Sequence, residues 1–372
     1  MSDPLLFTPG PLTTSETTRR AMLRDWGSRD AAFIAMTARV RQRLLETAGA
    51  GPGHVAVPIQ GSGTFAIEAM LGTFLPRDGK LLILVNGEYC RRMAKICARI
   101  GRAATTLESA EDTPPDLAAL DAALAADPSI THVALVHCET TSGILNPLAA
   151  VSDVVARRGR RLLVDAMSTF GAIPVSGPGI VWDAVAASSN KCLEGAPGIG
   201  FAICRADALA ACAGSAPSLS LDLHDQWRGF EANGQWRFTP PTHVLAALDQ
   251  ALAEHAAEGG VAGRGARYRD NCRILTEGLT RLGFTIYLPA ALQAPTIVTI
   301  LTPRDANFRF PAFYEALAAR GLLIYPGKLT RIDSFRIGCI GRLGAAEMNT
   351  LLAAVEAVLA EMGVTERAPL AA

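Results

Sequence analysis

Nowhere in these 372 residues is there a run of about 18 uncharged apolar residues, so no membrane-spanning helix is expected. A charge excess of either sign is also missing: Lys plus Arg equals Asp plus Glu at 35 each. Without a basic surplus, nucleic acid is not an expected partner, and a small ligand is. The eight cysteines form no C-x-x-C and no zinc-like pairing with histidine. They read as small core hydrophobes of a protein in the reducing cytoplasm. The six histidines include no H-E-x-x-H, so no metal is expected. The opening "MSDPLLFTPGPLTTSE" has no basic region and only a short apolar run, so it does not read as a secretory signal.

What the chain does have is apolar mass. Hydrophobic residues make up 49%, enough for a large core, and the length suggests roughly two domains. Short apolar runs, "HVAVPI", "LLILV", "HVALVH", "RLLVD" and "AVAAS", alternate with helix-like segments at 63–75, 88–100, 116–126 and 147–158. That alternation predicts an α/β fold whose mostly parallel sheet is buried on both faces. "GIGFAIC" follows "AVAAS" after a turn too short for a helical crossover, so it is expected to run antiparallel. We divide the chain into an N-terminal surface segment (1–20), a large domain (21–264) and a small C-terminal α+β domain (265–372). The small domain carries strands in "GFTIYL", "PTIVTIL", "LLIYP" and "SFRIGCIG" and a terminal helix over 344–361.

Ligands of open α/β sheets sit beyond the carboxyl ends of the parallel strands. There the sequence places "QGSGT" after the first run, Tyr89 after the second, "CETTSG" after the third, Asp165 at the end of "RLLVD" and Lys191 after "AVAASSN". Ser62, Gly63 and Thr64 open a helix, where free N–H groups favour an anion, although an ordinary N-capped turn has the same composition. "GSGT" is neither a dinucleotide fingerprint nor a P-loop. Asp165 is a carboxylate at the end of an apolar strand and needs a cationic partner or a proton. Taken singly, Lys191 reads as a solvated loop lysine and Tyr89 as a core aromatic. Together, an amine, an anion cradle, a carboxylate and a flat ring form the set that pyridoxal phosphate requires.

On these residues the chain resembles a known family. "LLFTPGPLTTSE", "QGSGTFAIEAML", "VHCETTSGILNPL", "LLVDAMSTFGAIP", "SSNKCLEGAPG", "SLSLDL", "WRFTPPTHV" and "FRIGCIG" look like the 2-aminoethylphosphonate:pyruvate aminotransferases, within the class V, fold-type I pyridoxal-phosphate enzymes. The resemblance runs in order from about residue 5 to residue 361. It implies a seven-stranded sheet, a homodimer, and transfer of an amino group from 2-aminoethylphosphonate to pyruvate. By the same resemblance Lys191 would hold the cofactor covalently, and Asp165 would hold its ring nitrogen. Ser62, Gly63 and Thr64 would bind its phosphate, Tyr89 would stack on its ring, and Thr141 would bond its phenolic oxygen. Thr239 would reach the phosphate from the neighbouring subunit, and Arg336 would bind the acidic group of the substrate. The stacking position is often Trp in relatives, and "DWGSRDAAF" departs from the family pattern. The alternatives are a serine or alanine aminotransferase using pyruvate or glyoxylate, a lyase or desulfurase on the same cofactor, and a silent binding protein on the same fold. Retention of both Lys191 and Asp165 weighs against the last.

Overall fold

The structure, a computed structural model, describes residues 3–369. Its central sheet has seven strands: β1 (His54–Gln60), β2 (Lys80–Val85), β3 (Ala103–Glu108), β4 (Ile130–Val136), β5 (Arg161–Asp165), β6 (Ala184–Ser188) and β7 (Ile199–Arg205). The spatial order is β1-β7-β6-β5-β4-β2-β3. Strand β7 runs antiparallel to both β1 and β6, as the short turn requires, and the other neighbouring pairs are parallel.

The sheet is covered on both faces. Helices α1 (Ala31–Ala48), α4 (Leu117–Ala126), α5 (Leu148–Arg157) and α7 (Thr242–Ala257) pack on one side, and α2 (Gly63–Phe74), α3 (Glu88–Arg99) and α6 (Leu223–Asn233) on the other. Side chains alternate across a strand, so β2 divides its apolar residues between the two cores. Leu82 and Leu84 enter one, and Leu81, Ile83 and Val85 the other. This is why the strand reads as an unbroken apolar run. Strand β3 ("AATTLE") was not legible in the sequence because it is the sheet edge, and most of its residues are exposed or half-buried. Edge strands are kept short and polar to avoid unwanted pairing.

The smaller sheet holds β8 (Ile297–Leu301), β9 (Tyr325–Pro326) and β10 (Ser334–Gly338), with β10 central and antiparallel to both neighbours. Helices α8 (Gly260–Arg281), α9 (Phe310–Ala318) and α10 (Ala345–Glu361) close its core. Residue 265 falls inside α8, which contributes Arg264 and Tyr268 beside Cys192 in the turn between β6 and β7 and Leu275 and Leu279 to the small core. "GFTIYL" makes only an isolated bridge, Ile286 to Ile300.

The opening segment is exposed at Pro4, Pro11 and Glu16–Thr17, but its apolar residues turn inward. Leu5–Leu6 pairs in parallel with Leu322–Leu323, and Phe7 is fully buried in the small core. Its short apolar run carries enough hydrophobic surface to be drawn inside. Leu12 then packs with Ala172, Cys192, Tyr268 and Ile340. Pro9 and Gly10 are thereby carried over the end of the large sheet. Among the described residues no helix is long and apolar enough to cross a membrane.

Candidate active site

A cavity of about 230 Å³ opens at the carboxyl ends of the parallel strands. Its walls include Ser62, Gly63, Thr64, Tyr89, Asp165 and Lys191, so six of the residues singled out in the sequence meet in one place.

The anion cradle forms because β1 ends one turn short of α2. Ser62 takes the N-cap position, yet its side chain makes no capping bond, which leaves the hydroxyl available to the cavity. Gly63 packs closely under Met167, whose Sδ would stand 2.5 Å from a Cβ at this position. Thr64 Oγ1 accepts a hydrogen bond of 3.0 Å from Arg92 Nη1. Arg92 lines the same wall and escaped the sequence reading. The signal was present: Tyr89 and Arg92 are three apart on α3 and therefore share a face.

Asp165 ends β5 almost wholly buried, with Oδ1 accepting from the Met167 N–H at 2.9 Å. Burial pushes its carboxyl up to about 7, against the lowering pull of that N–H and of Arg92 and Lys191. A carboxyl so placed is poised to take or share a proton with a basic heteroatom.

Lys191 follows β6 on a turn that is locked from behind. Glu194 adopts a left-handed φ of 61° and accepts from Arg267 Nη2 at 2.8 Å and from the Tyr268 hydroxyl at 2.6 Å. The Lys191 amine donates to the carbonyls of Pro9 at 2.6 Å and Gly10 at 3.0 Å. Burial lowers its pKa. An apolar environment of this kind favours the neutral, nucleophilic form of an amine.

Tyr89 is the second residue of α3, whose N-terminal amides are met by a buried carboxylate. Glu139 Oε2 accepts from the N–H groups of Tyr89 at 3.1 Å and Cys90 at 3.2 Å. Glu139 Oε1 takes the Thr141 N–H at 2.9 Å and hydroxyl at 2.7 Å. Thr141 is thus turned away from the cavity and fully buried, and its neighbour Thr140 lines the wall. Of the two neighbouring threonines, Thr140 is the one that lines the cavity, and Thr141, singled out in the sequence, is held behind it by Glu139.

Arg336 lies on β10, where Phe335 and Ile337 enter the small core and the guanidinium points the other way, as strand alternation predicts. It does not reach solvent. Only 2% of it is exposed, with Nε donating to Pro326 O at 2.9 Å and Nη1 to Thr140 O at 2.7 Å. It therefore borders the cavity wall at Thr140 from the small-domain side. Thr239 is exposed and away from the cavity, beside Ser28 and Arg29 of the segment that departs from the family pattern. Ser188 was missed although it stands three residues before Lys191. It lines the cavity, is buried, and its hydroxyl has no hydrogen-bond partner.

The family model for aminotransferase class V matches residues 18–325. The chain is 53% identical to a 2-aminoethylphosphonate–pyruvate transaminase of Pseudomonas putida, over 98% of this chain and 99% of that protein. Among solved structures it is similar to an alanine–glyoxylate aminotransferase from Nostoc, with a TM-score of 0.88, 26% identity and coverage of 96% of both chains. A ureidoglycine–glyoxylate aminotransferase from Bacillus subtilis shares the fold, with a TM-score of 0.89 at 23% identity, covering 98% of this chain and 95% of that one. The chain belongs to the class V aminotransferases, in the branch that holds the 2-aminoethylphosphonate–pyruvate transaminases.

Proposed function

We propose that this protein transfers the amino group of 2-aminoethylphosphonate to pyruvate, giving phosphonoacetaldehyde and L-alanine, on pyridoxal phosphate held at Lys191. The observation that carries the reading is the meeting of Lys191, Asp165 and the Ser62–Thr64 cradle in one cavity, with a buried guanidinium at its border. The residues fit the cofactor on the protein's own terms: Ser188 offers a buried hydroxyl with no partner, and Asp165 is a carboxyl in search of a basic nitrogen. When bound, pyridoxal phosphate supplies a ring that delocalises the electron pair left behind as an amine substrate loses its α proton.

The chain supplies the rest. The Ser62, Thr64 and Ser188 hydroxyls and the first amides of α2 bind the phosphate, and Tyr89 gives the ring a flat neighbour. Asp165 holds the ring nitrogen. The Lys191 amine would be the base that moves the substrate's α proton. Arg336 presents a fork that matches a carboxylate or a tetrahedral phosphonate. Water gives its oxygen to the donor carbon as the amino group leaves, and one water carrying pyruvate's keto oxygen is released when pyruvate accepts that group, so the exchange balances and no outside oxidant is needed.

The working unit is a homodimer in which Thr239 of each subunit faces the other's phosphate site. The protein works in the cytoplasm, a reading supported by its eight free, buried cysteines. Initial rates with pyruvate decide the substrate: 2-aminoethylphosphonate is expected to outrun serine, taurine and ethanolamine phosphate, and a clear preference for serine overturns the assignment. A dimer mixed from Lys191→Ala and Thr239→Ala chains is expected to regain activity, because one of its two sites carries neither lesion. A fully active monomer on sedimentation refutes the shared site.

A further inference from the structure

Lys328 leaves the small domain on the loop between β9 and β10 and reaches the large domain. Its Nζ stands 4.0 Å from the centre of the Tyr89 ring. Among the described residues no carboxylate lies within ion-pair distance of this amine. The loop is held across the domain boundary by Thr330, whose N–H donates to Glu111 at 3.2 Å and whose hydroxyl donates to the same carboxylate at 3.2 Å. Lys328 is therefore brought to this ring by an anchored loop. Arg336, from β10, lies over the Tyr325 ring at 5.3 Å and acts electrostatically on the Tyr89 phenol. Burial pushes the Tyr89 phenol up, and Lys328, Thr140, Lys191 and Arg336 together outweigh it. Two cations from the small domain thus converge at the edge of the cavity without an acid to neutralise the second.

A half-buried cation with no protein partner calls for an anionic ligand. The two acceptable substrates differ in charge. Pyruvate carries a single carboxylate charge, which one guanidinium can match. A phosphoryl-type group has a second ionisation near about 6, so a phosphonate carries close to two charges in mildly alkaline solution.

We propose that Lys328 is a specificity-determining residue, supplying the second positive charge that a phosphonate dianion needs beside Arg336. The inference rests on the functional reading above and extends it. It explains how one pocket serves both half-reactions and still selects its amine donor. Arg336 holds either acid, and Lys328 rewards only the doubly charged one.

The test compares two tetrahedral anions of equal size, ethylphosphonate and ethanesulfonate, titrated calorimetrically into the cofactor-loaded protein at pH 8.5. The unaltered protein is expected to favour ethylphosphonate at least tenfold, and to lose most of that preference at pH 5.5. Lys328→Met is expected to abolish the preference while changing ethanesulfonate affinity less than twofold, and Lys328→Arg to restore most of it. The ratio is read within one protein, so a partly unfolded sample does not distort it. An equal loss for both anions, or no loss, overturns the role of Lys328. If the unaltered protein turns over 2-aminoethylphosphonate but Lys328→Met keeps the anion ratio, the specificity proposal alone fails. Absence of that turnover in the unaltered protein removes both readings.

Discussion

Gly10 places its carbonyl oxygen 3.0 Å from the Lys191 amine, and a Cβ on the same residue would stand 2.6 Å from Lys191 Cδ. The opening segment and the reactive lysine are fitted to each other. Pro9 and Gly10 together accept two hydrogen bonds from Nζ and so fix the position of the amine at the cavity.

Gly10→Ala should therefore do two separable things. Its φ of +102° is a glycine conformation, so the substitution costs on the order of 1–3 kcal/mol of stability. The new methyl also displaces the lysine. Gly53→Ala is the control, because its φ is +90° but no atom lies within 4 Å of the added methyl. Both variants are expected to melt lower. Only Gly10→Ala should slow cofactor capture, followed by visible absorbance after adding pyridoxal phosphate to the stripped protein, by tenfold or more. Equal capture rates in the two variants would refute the coupling.

Asp165 gives a pH signature. Its folded pKa of about 7 lies above the ordinary carboxyl value of about 3.9, so between these limits the folded state binds the proton more tightly. Stability from this group is full below about pH 4 and falls as pH rises toward 7. Asp165→Asn should remove that fall, making the cofactor-free protein more stable than the parent at pH 8 by on the order of 4 kcal/mol. Urea denaturation at pH 5 and pH 8 measures it. In the loaded enzyme the same change should cut turnover by several orders of magnitude.

The unpartnered hydroxyl of Ser188 makes a further prediction. In the cofactor-free protein Ser188→Ala should be neutral or stabilising by about 1 kcal/mol, because a buried hydroxyl with no partner is removed. Affinity for pyridoxal phosphate should fall about tenfold, the worth of one good hydrogen bond to a charged group. Equilibrium dialysis reads the affinity. Unchanged binding would detach Ser188 from the cofactor.

Arg336→Lys keeps a charge but loses the fork. It also leaves the carbonyls of Pro326 and Thr140 without their present donors. KM for both 2-aminoethylphosphonate and pyruvate should rise at least tenfold, with the cofactor spectrum intact. Loss of only one substrate in steady-state kinetics would show that the two acids are held by different residues.

By itself the sequence determined the α/β sheet and the residues at its ligand-binding end. Strands buried on both faces must be apolar at nearly every position, so "LLILV" and "AVAAS" announce themselves, and the short turn at Lys191 forces β7 to reverse. Lys191, Asp165 and the Ser62–Thr64 turn follow from strand ends, a local property. Tertiary structure decided what depends on neighbours distant in the chain. The polar edge strand β3 is recognisable only by its partner β2. The choice of Thr140 over Thr141 depends on Glu139 capping α3, which turns one hydroxyl inward and leaves the other facing the cavity. Pro9 and Gly10 reach Lys191 across about 180 residues because Phe7 and Leu12 are buried on either side of them, and no pattern within either segment records that closure.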